Sequence, residues 1–385
     1  MQLELIKSLF LKHQETSLKH RYITNKHIEP LLENYKEKLD VEIIGTSVLN
    51  NPIYGLKIGT GDKRIFMWSQ MHGNESTTTK AIFDLLNTLL SNDPSVKHIF
   101  SACTLYIIPT LNPDGAKAYT RINANQVDLN RDAQDLSQPE SKVLRTVFKT
   151  FKPHYCYNLH GQRTIFSAGN TNKPATVSFL APAQDEACTI TSNRKVAMEI
   201  ISVMNDALQS LIPGQVGVYD DAFNLNCVGD AFQSENIPTI LFEAGHFYND
   251  YARDITREYI YTSYLVSLSH IALNEVTGAH YESYLKIPEN EKLYFDVIIK
   301  NANKIHGDSE NKVDIGILYQ EKLIDGKISF IPSVEKIGDL KGFFGHSVIE
   351  AHGLAVYNDD GQPLKVDSAN VFVMLKNEKI SLLPK

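Results

Sequence analysis

His72 and Glu75 stand i, i+3 apart in the segment HGNES, between an apolar run, RIFMWSQ, and an amphipathic one, TTTKAIFDLLNTLL. That spacing lets an imidazole and a carboxylate converge on one metal ion, and Gly73 keeps the turn between them open. Taken alone, the pair is more often a helix-start histidine followed by an exposed glutamate. His160 ends a second apolar run, HYCYNLH. A third ligand would be presented there beside the first two, with a fourth position left for water, although a strand-end histidine is the ordinary reading in isolation. Two imidazoles and one carboxylate suit zinc better than the hard cations, whose sites are built from oxygen. Glu243 ends another apolar run, TILFEAG, where a carboxylate either moves protons or sits in a surface ion pair.

The elements that must deliver these residues are legible as a repeated theme of apolar strand, functional loop and amphipathic helix. RIFMWSQ, TLYIIPT, HYCYNLH and TILFEAG are each short and apolar, with chemistry at the C-terminal end. That is an α/β signature. Ligands of open α/β sheets gather beyond those strand ends, so distant segments can share one site. Upstream, Ser17 to Leu39 reads as helical and VEIIGTSV as the first strand. After the helical run Arg257 to Val276 the composition shifts, and FDVIIKN, VDIGILY, KISFIPS and NVFVMLK follow, separated by Gly, Asp and Asn turns. The expected organisation is an N-terminal helical segment over 1–40, a catalytic domain over 41–284 and a small β-rich domain over 285–385. FDVIIKN followed by VDIGI has a superficial likeness to the N-terminal β segment of amidohydrolases, but no His-x-His metal motif comes after it.

Composition narrows the function. The 385 residues, 43% hydrophobic, can bury a large core and more than one compact unit. A net charge of -7 and the lack of any long basic block give no reason to expect nucleic acid or an anionic membrane as partner. The N-terminal MQLELIKSLFLKHQ has an apolar stretch broken by Lys7, Lys12 and His13, and no small-residue cleavage site follows. With no run near the roughly 20 apolar residues that span a bilayer, a cytoplasmic location is expected. Cys103, Cys156, Cys188 and Cys227 form no CxxC pair and are expected as buried, reduced thiols.

Taken together with NPDG at Asn112 to Gly115, Arg121, DLNR at Asp128 to Arg131 and FEAG around Glu243, the order of motifs closely resembles the carboxypeptidase A-like family of zinc carboxypeptidases. The resemblance covers roughly Val41 to Asn274, and as a set its motifs are highly specific. It implies an α/β fold, a mixed open sheet with helices on both faces, to which the small C-terminal β domain is added. It implies that His72, Glu75 and His160 bind Zn2+, with Asp128 orienting His72. It makes Glu243 the carboxylate that takes a proton from zinc-bound water and returns it to the leaving amine, and Arg121 the donor that stabilises the carbonyl oxygen. Asn130 and Arg131 match the pair that binds a substrate's free carboxylate, a task suited to a planar guanidinium. Tyr219 is a candidate for the mobile tyrosine that covers bound substrate. NPDG is expected to be scaffold, since Pro-Asp-Gly is a turn sequence anywhere.

Some positions depart from the family pattern. Gly161 and Gln162 follow His160 where a small hydroxyl residue and a tyrosine are usual, which alters one wall of the pocket. NCVGDAF, at Asn226 to Phe232, occupies the side-chain-selecting place but carries no acid clearly positioned to prefer Lys or Arg. Asp132 is expected to put an unusual negative charge beside the carboxylate clamp. The implied activity is release of a C-terminal amino acid from a peptide. HGNE and DLNR also resemble the aspartoacylase and succinylglutamate desuccinylase branch, whose members carry a C-terminal β domain, so N-acyl amino acid deacylation is the main alternative. Murein-peptide amidase activity is a further one. The expected partner in each case is a peptide or N-acyl amino acid with a free carboxylate. A catalytically dead binding protein would lack a ligand or the base, and none is missing.

Overall fold

Alternation in Ile65-Phe66-Met67-Trp68 sends Ile65 and Met67 to one face of a central strand and Phe66 and Trp68 to the other, and both pairs are fully buried. A strand with two apolar faces needs cover on both sides, and that dictates the layers. In the computed structural model, which describes residues 1–303 and 312–384, the chain opens with α1 (Leu3–His13) and α2 (Asn25–Tyr35). There follow β1 (Asp40–Thr46), β2 (Pro52–Gly59), β3 (Lys63–Ser69), α3 (Thr77–Leu90), α4 (Lys97–Ala102), β4 (Cys103–Ile108), α5 (Pro113–Ala118) and α6 (Pro139–Phe151). Next come β5 (Tyr155–Gly161), β6 (Ser167–Ala168), β7 (Val177–Leu180), α7 (Ser192–Gln209), β8 (Val216–Val218), α8 (Val228–Ser234), β9 (Thr239–Ala244) and α9 (Asp254–Leu273).

Eight strands form one sheet in the order β1-β2-β4-β3-β5-β9-β7-β8. It is mixed: β4, β3, β5 and β9 run parallel, whereas β1, β2 and the β7–β8 pair run against their neighbours. One face packs on α3, α7 and α9 through Ile82, Leu86, Ile200, Met204, Ile260 and Leu268. The other packs on α6 and α8 through Leu144, Phe148, Val228 and Phe232. The expected α/β sheet with helices on both faces is thus present.

Two segments differ from expectation. The helix expected over Ser17–Leu39 is confined to α2, because the Glu15 and Leu18 carbonyls accept hydrogen bonds from the buried Arg257 guanidinium at 2.9 and 2.7 Å. The broken apolar stretch before it is the helix α1, whose Ile6, Leu9 and Phe10 join the main core. All four cysteines are free, Cys103 and Cys156 buried and Cys188 and Cys227 half-buried. No helix among the described residues is long and apolar enough to cross a membrane.

The last part of the chain carries β10 (Asn290–Glu291), β11 (Tyr294–Asn303), β12 (Lys312–Ile324), β13 (Lys327–Gly338), β14 (Phe344–Glu350), β15 (Val356–Tyr357), β16 (Phe372–Leu375) and β17 (Glu378–Ser381). β13-β12-β11-β14 form a four-stranded sheet and β15-β16-β17 a three-stranded one, around a core of their own that includes Ile299, Ile317, Val334 and Val373. The short β10 pairs instead with β6 of the main body. Tyr294 N also donates to Ile165 O (3.0 Å), and His346 Nε2 to Thr164 O (2.8 Å).

Candidate active site

Three parallel strand ends deliver the chemistry. β3 ends just before His72, and in the register of β5 and β9 His160 lies directly opposite Glu243. On β5 Tyr157 and Leu159 point into the core under α3, so Asn158 and His160 point the other way. Leu241 and Glu243 do the same on β9, and all four line one cavity of about 430 Å³.

Glu75 is brought back to His72 by a turn closed by Glu75 N donating to His72 O (3.1 Å), two residues before α3 starts. This turn presses so closely on the Asn112–Gly115 segment that a Cβ on Gly73 would lie 1.9 Å from the Gly115 carbonyl carbon. The NPDG motif is the scaffold there. Asn112 caps α5 through Gly115 N (2.8 Å) and donates to Met71 O (3.2 Å), and Asp114 accepts from Ser47, Leu49 and Asn51.

His72 Nδ1 stands 3.0 Å from Glu75 Oε1, His160 Nδ1 3.0 Å from Glu75 Oε2, and the two Nδ1 atoms 3.0 Å from each other. Zinc bonds of about 2.0 Å imply ligand atoms about 3.3 Å apart around a tetrahedron, so the trio needs to open by only a few tenths of an ångström to receive the ion. The donor set fits the metal: two imidazole nitrogens that cannot both donate to one another face a carboxylate. Zinc is the cofactor this group is built to hold. Burial would push the Glu75 carboxyl up, but the adjacent His72 and His160 hold it well below the usual carboxylate range. Burial pulls the His72 pKa down, and Glu75 and Asp128 more than reverse this, whereas at His160 burial wins.

Around the trio, Asp128 Oδ1 accepts from His72 Nε2 (3.1 Å) and from Asn130 N (2.9 Å), and Asp128 Oδ2 from Arg121 Nε (3.0 Å). Arg121 Nη1 also reaches Glu75 Oε1 at 3.5 Å, so its half-exposed guanidinium lies at the ligand cluster. Asn130, Arg131 and Tyr219 line the same cavity. The Asn130 Oδ1 accepts from Val228 N (3.0 Å), which leaves its amide NH2 to donate. Arg131 Nη1 donates to Asn130 O (2.7 Å) and Cys227 Sγ (3.1 Å). Glu243 is half-buried, and one of its oxygens has no hydrogen-bond partner. Burial, and then the charge of Glu75, raise its pKa well above the ordinary value.

Two expectations are corrected. Asp132 does not face the clamp. It is buried in its own loop, accepting from Ser137 N (2.9 Å), Ser137 Oγ (2.8 Å) and Gln138 N (3.0 Å), because those donors lie only five and six residues ahead. NCVGDAF does bring an acid to the cavity. Asp230, in the first turn of α8, lines the wall beside Cys227, and burial pushes its pKa up to about 7. The signal for it was a helix start: Asp in a first turn is placed by the backbone, not by the motif.

Residues 24–136 match the family model described as zinc carboxypeptidase. Carboxypeptidase SOL1 of Arabidopsis thaliana is 29% identical over 183 residues, 41% of this chain and 37% of that protein. The chain therefore spans well under two thirds of that relative's length. Among solved structures, carboxypeptidase A from Helicoverpa armigera superposes with a TM-score of 0.53 at 17% identity, covering 70% of this chain and 80% of that one. A metallo-carboxypeptidase from Burkholderia cenocepacia gives 0.51 at 16% identity, covering 64% and 69%. Likeness at such identities carries the fold alone.

Proposed function

We propose that this chain, whose residues 24–136 match the zinc carboxypeptidase family model, is a metallocarboxypeptidase that releases the C-terminal amino acid of a peptide. One observation carries the reading: Asn130 and Arg131 share a cavity with His72, Glu75, His160 and Glu243, so a group that binds a carboxylate sits within one substrate's reach of a hydrolytic centre.

Zinc on His72, Glu75 and His160 would supply a Lewis acid that polarises the scissile carbonyl and makes a water nucleophilic near neutral pH. The chain supplies the rest. Glu243 takes the proton of the attacking water and gives it to the departing amine, a task open to a carboxylate with an unpartnered oxygen in the same cavity as the metal cluster. Arg121, held by Asp128, donates to the carbonyl oxygen as negative charge develops. Arg131 and the Asn130 amide take the free terminal carboxylate, and Tyr219 closes the cavity over it. This fixes the bond to be cut as the last one.

The deciding experiment offers zinc-loaded enzyme short peptides, the same peptides amidated at the C-terminus, N-acetyl and N-succinyl amino acids, and a murein peptide, and measures released amino acid. Free-acid peptides should be cleaved far better than amides. Turnover of N-acyl amino acids without peptides would transfer the same hydrolytic centre to deacylation, and preference for the murein peptide would make the chain an amidase of that class.

A further inference from the structure

The residues Pro288 to Glu291 lie outside the segment that resembles the family, yet they are wedged between two walls of the candidate active site. On one side Val218 N donates to Pro288 O (2.9 Å) and Val218 bridges Glu289, immediately before Tyr219. On the other, β10 pairs with β6 through Asn290↔Ala168 and Glu291↔Ser167, just beyond Phe166, and Gly169 N donates to Glu289 O (2.8 Å). The Asn290 side chain points between them. Its amide nitrogen donates to Gln162 Oε1 (3.1 Å) and to Ser178 Oγ (3.0 Å). Ser178 is the cross-strand neighbour of Glu243. The fit is close enough that a Cβ on Gly217 would sit 2.0 Å from Asn290 Oδ1, so only glycine admits the amide there. Gln162 spends its other end on Ala175 O (2.6 Å).

We propose that Asn290, supplied by the strand that leads into the C-terminal sheets, is a positioning residue of the active site that holds the Gln162 wall of the substrate cavity in place. Gln162 lines the cavity, Asn290 does not, and none of the metal-cluster contacts involves Asn290, so its effect falls mainly on substrate binding. This role rests on the carboxypeptidase reading for its kinetic consequence, but not for its structural one.

The test uses the full zinc-loaded chain with two variants. Asn290→Ala removes the amide, and Asn290→Asp keeps its size while replacing the donor with a carboxylate oxygen facing Gln162 Oε1. Both should raise KM for a free-acid peptide about tenfold, the effect of one well-placed hydrogen bond, with kcat changed less than about threefold and zinc content intact. Combined with Gln162→Ala, the loss in kcat/KM should be no larger than that of the worse single variant. Amide hydrogen exchange should quicken in residues 162–166 and 216–220 and stay unchanged elsewhere. Exchange unchanged in both segments, wild-type kinetics in Asn290→Asp, or full additivity with Gln162→Ala would each overturn the proposal. Failure of the wild-type chain to cleave any free-acid peptide would overturn the carboxypeptidase reading, while the exchange measurement would still decide the role of Asn290.

Discussion

Asp128 grips His72 from behind, its Oδ1 lying 3.1 Å from Nε2, the ring nitrogen turned away from Glu75 and His160. A proton held on Nε2 leaves the Nδ1 lone pair for the metal, and Arg121 and Asn130 N keep the carboxylate from turning. Asp128→Asn should bind zinc about 10- to 100-fold more weakly, the usual cost of losing a partner that orients a ligand. Competition with a chromophoric chelator measures this, and unchanged affinity would remove Asp128 from the metal site.

Glu243 is not among the atoms that converge on the metal, so binding and turnover should separate there. Glu243→Gln should keep its zinc and lose at least about 100-fold in kcat, the range for removal of a general base. Near-normal turnover would reassign the proton transfer.

Arg131 uses one Nη on Asn130 O and Cys227 Sγ and has donors to spare. Arg131→Ala should lower kcat/KM for free-acid peptides by about 10- to 100-fold, the worth of a charge-assisted hydrogen bond, and leave the amides nearly untouched. The ratio between the two substrates is the readout. A ratio that survives the substitution would place the terminal carboxylate elsewhere.

His346 is buried against Tyr294 and His246 and donates to Thr164 O. Burial holds its pKa down at about 4, the Thr164 bond offsetting only part of this and the Arg253 charge adding to it. A histidine depressed in the folded state favours folding above its ordinary value of 6.5, and that contribution is lost as pH falls from there to about 4. The loss is at most about 3 kcal/mol. His246, also depressed by burial, acts in the same direction. His346→Gln keeps a donor for Thr164, so its melting temperature should fall less steeply than that of the wild type between pH 6.5 and 4. Parallel curves in thermal scans would show that this imidazole does not carry the effect.

The sequence revealed what is local or ordered. Strand ends at His72, His160 and Glu243 follow from short apolar runs, and the metal trio follows from the resemblance of the motif set to the zinc carboxypeptidases. What it concealed depends on partners far along the chain. Leu18 leaves the helical conformation because its carbonyl is taken by Arg257, 239 residues away. Asp132 looked like part of the clamp because proximity in sequence says nothing of which way a loop carboxylate turns, and here Ser137 and Gln138 turn it inward. Asn290 belongs to no motif, and Asp230 lies in NCVGDAF with no spacing that points it at the cavity; the wall that one supports and the other lines exists only after several strands have packed.

The pairing of β10 with β6 and the bonds from Tyr294 to Ile165 and His346 to Thr164 set an order of events during synthesis. A chain leaving the ribosome at about 5–20 residues per second presents every metal ligand and Glu243 well before residues 290 to 346 emerge. In that interval of several seconds the hydrolytic centre can assemble while one side of its cleft still lacks its outer support. A nascent chain halted before β10 would therefore carry every metal ligand and Glu243 but lack the Asn290 that supports its substrate pocket.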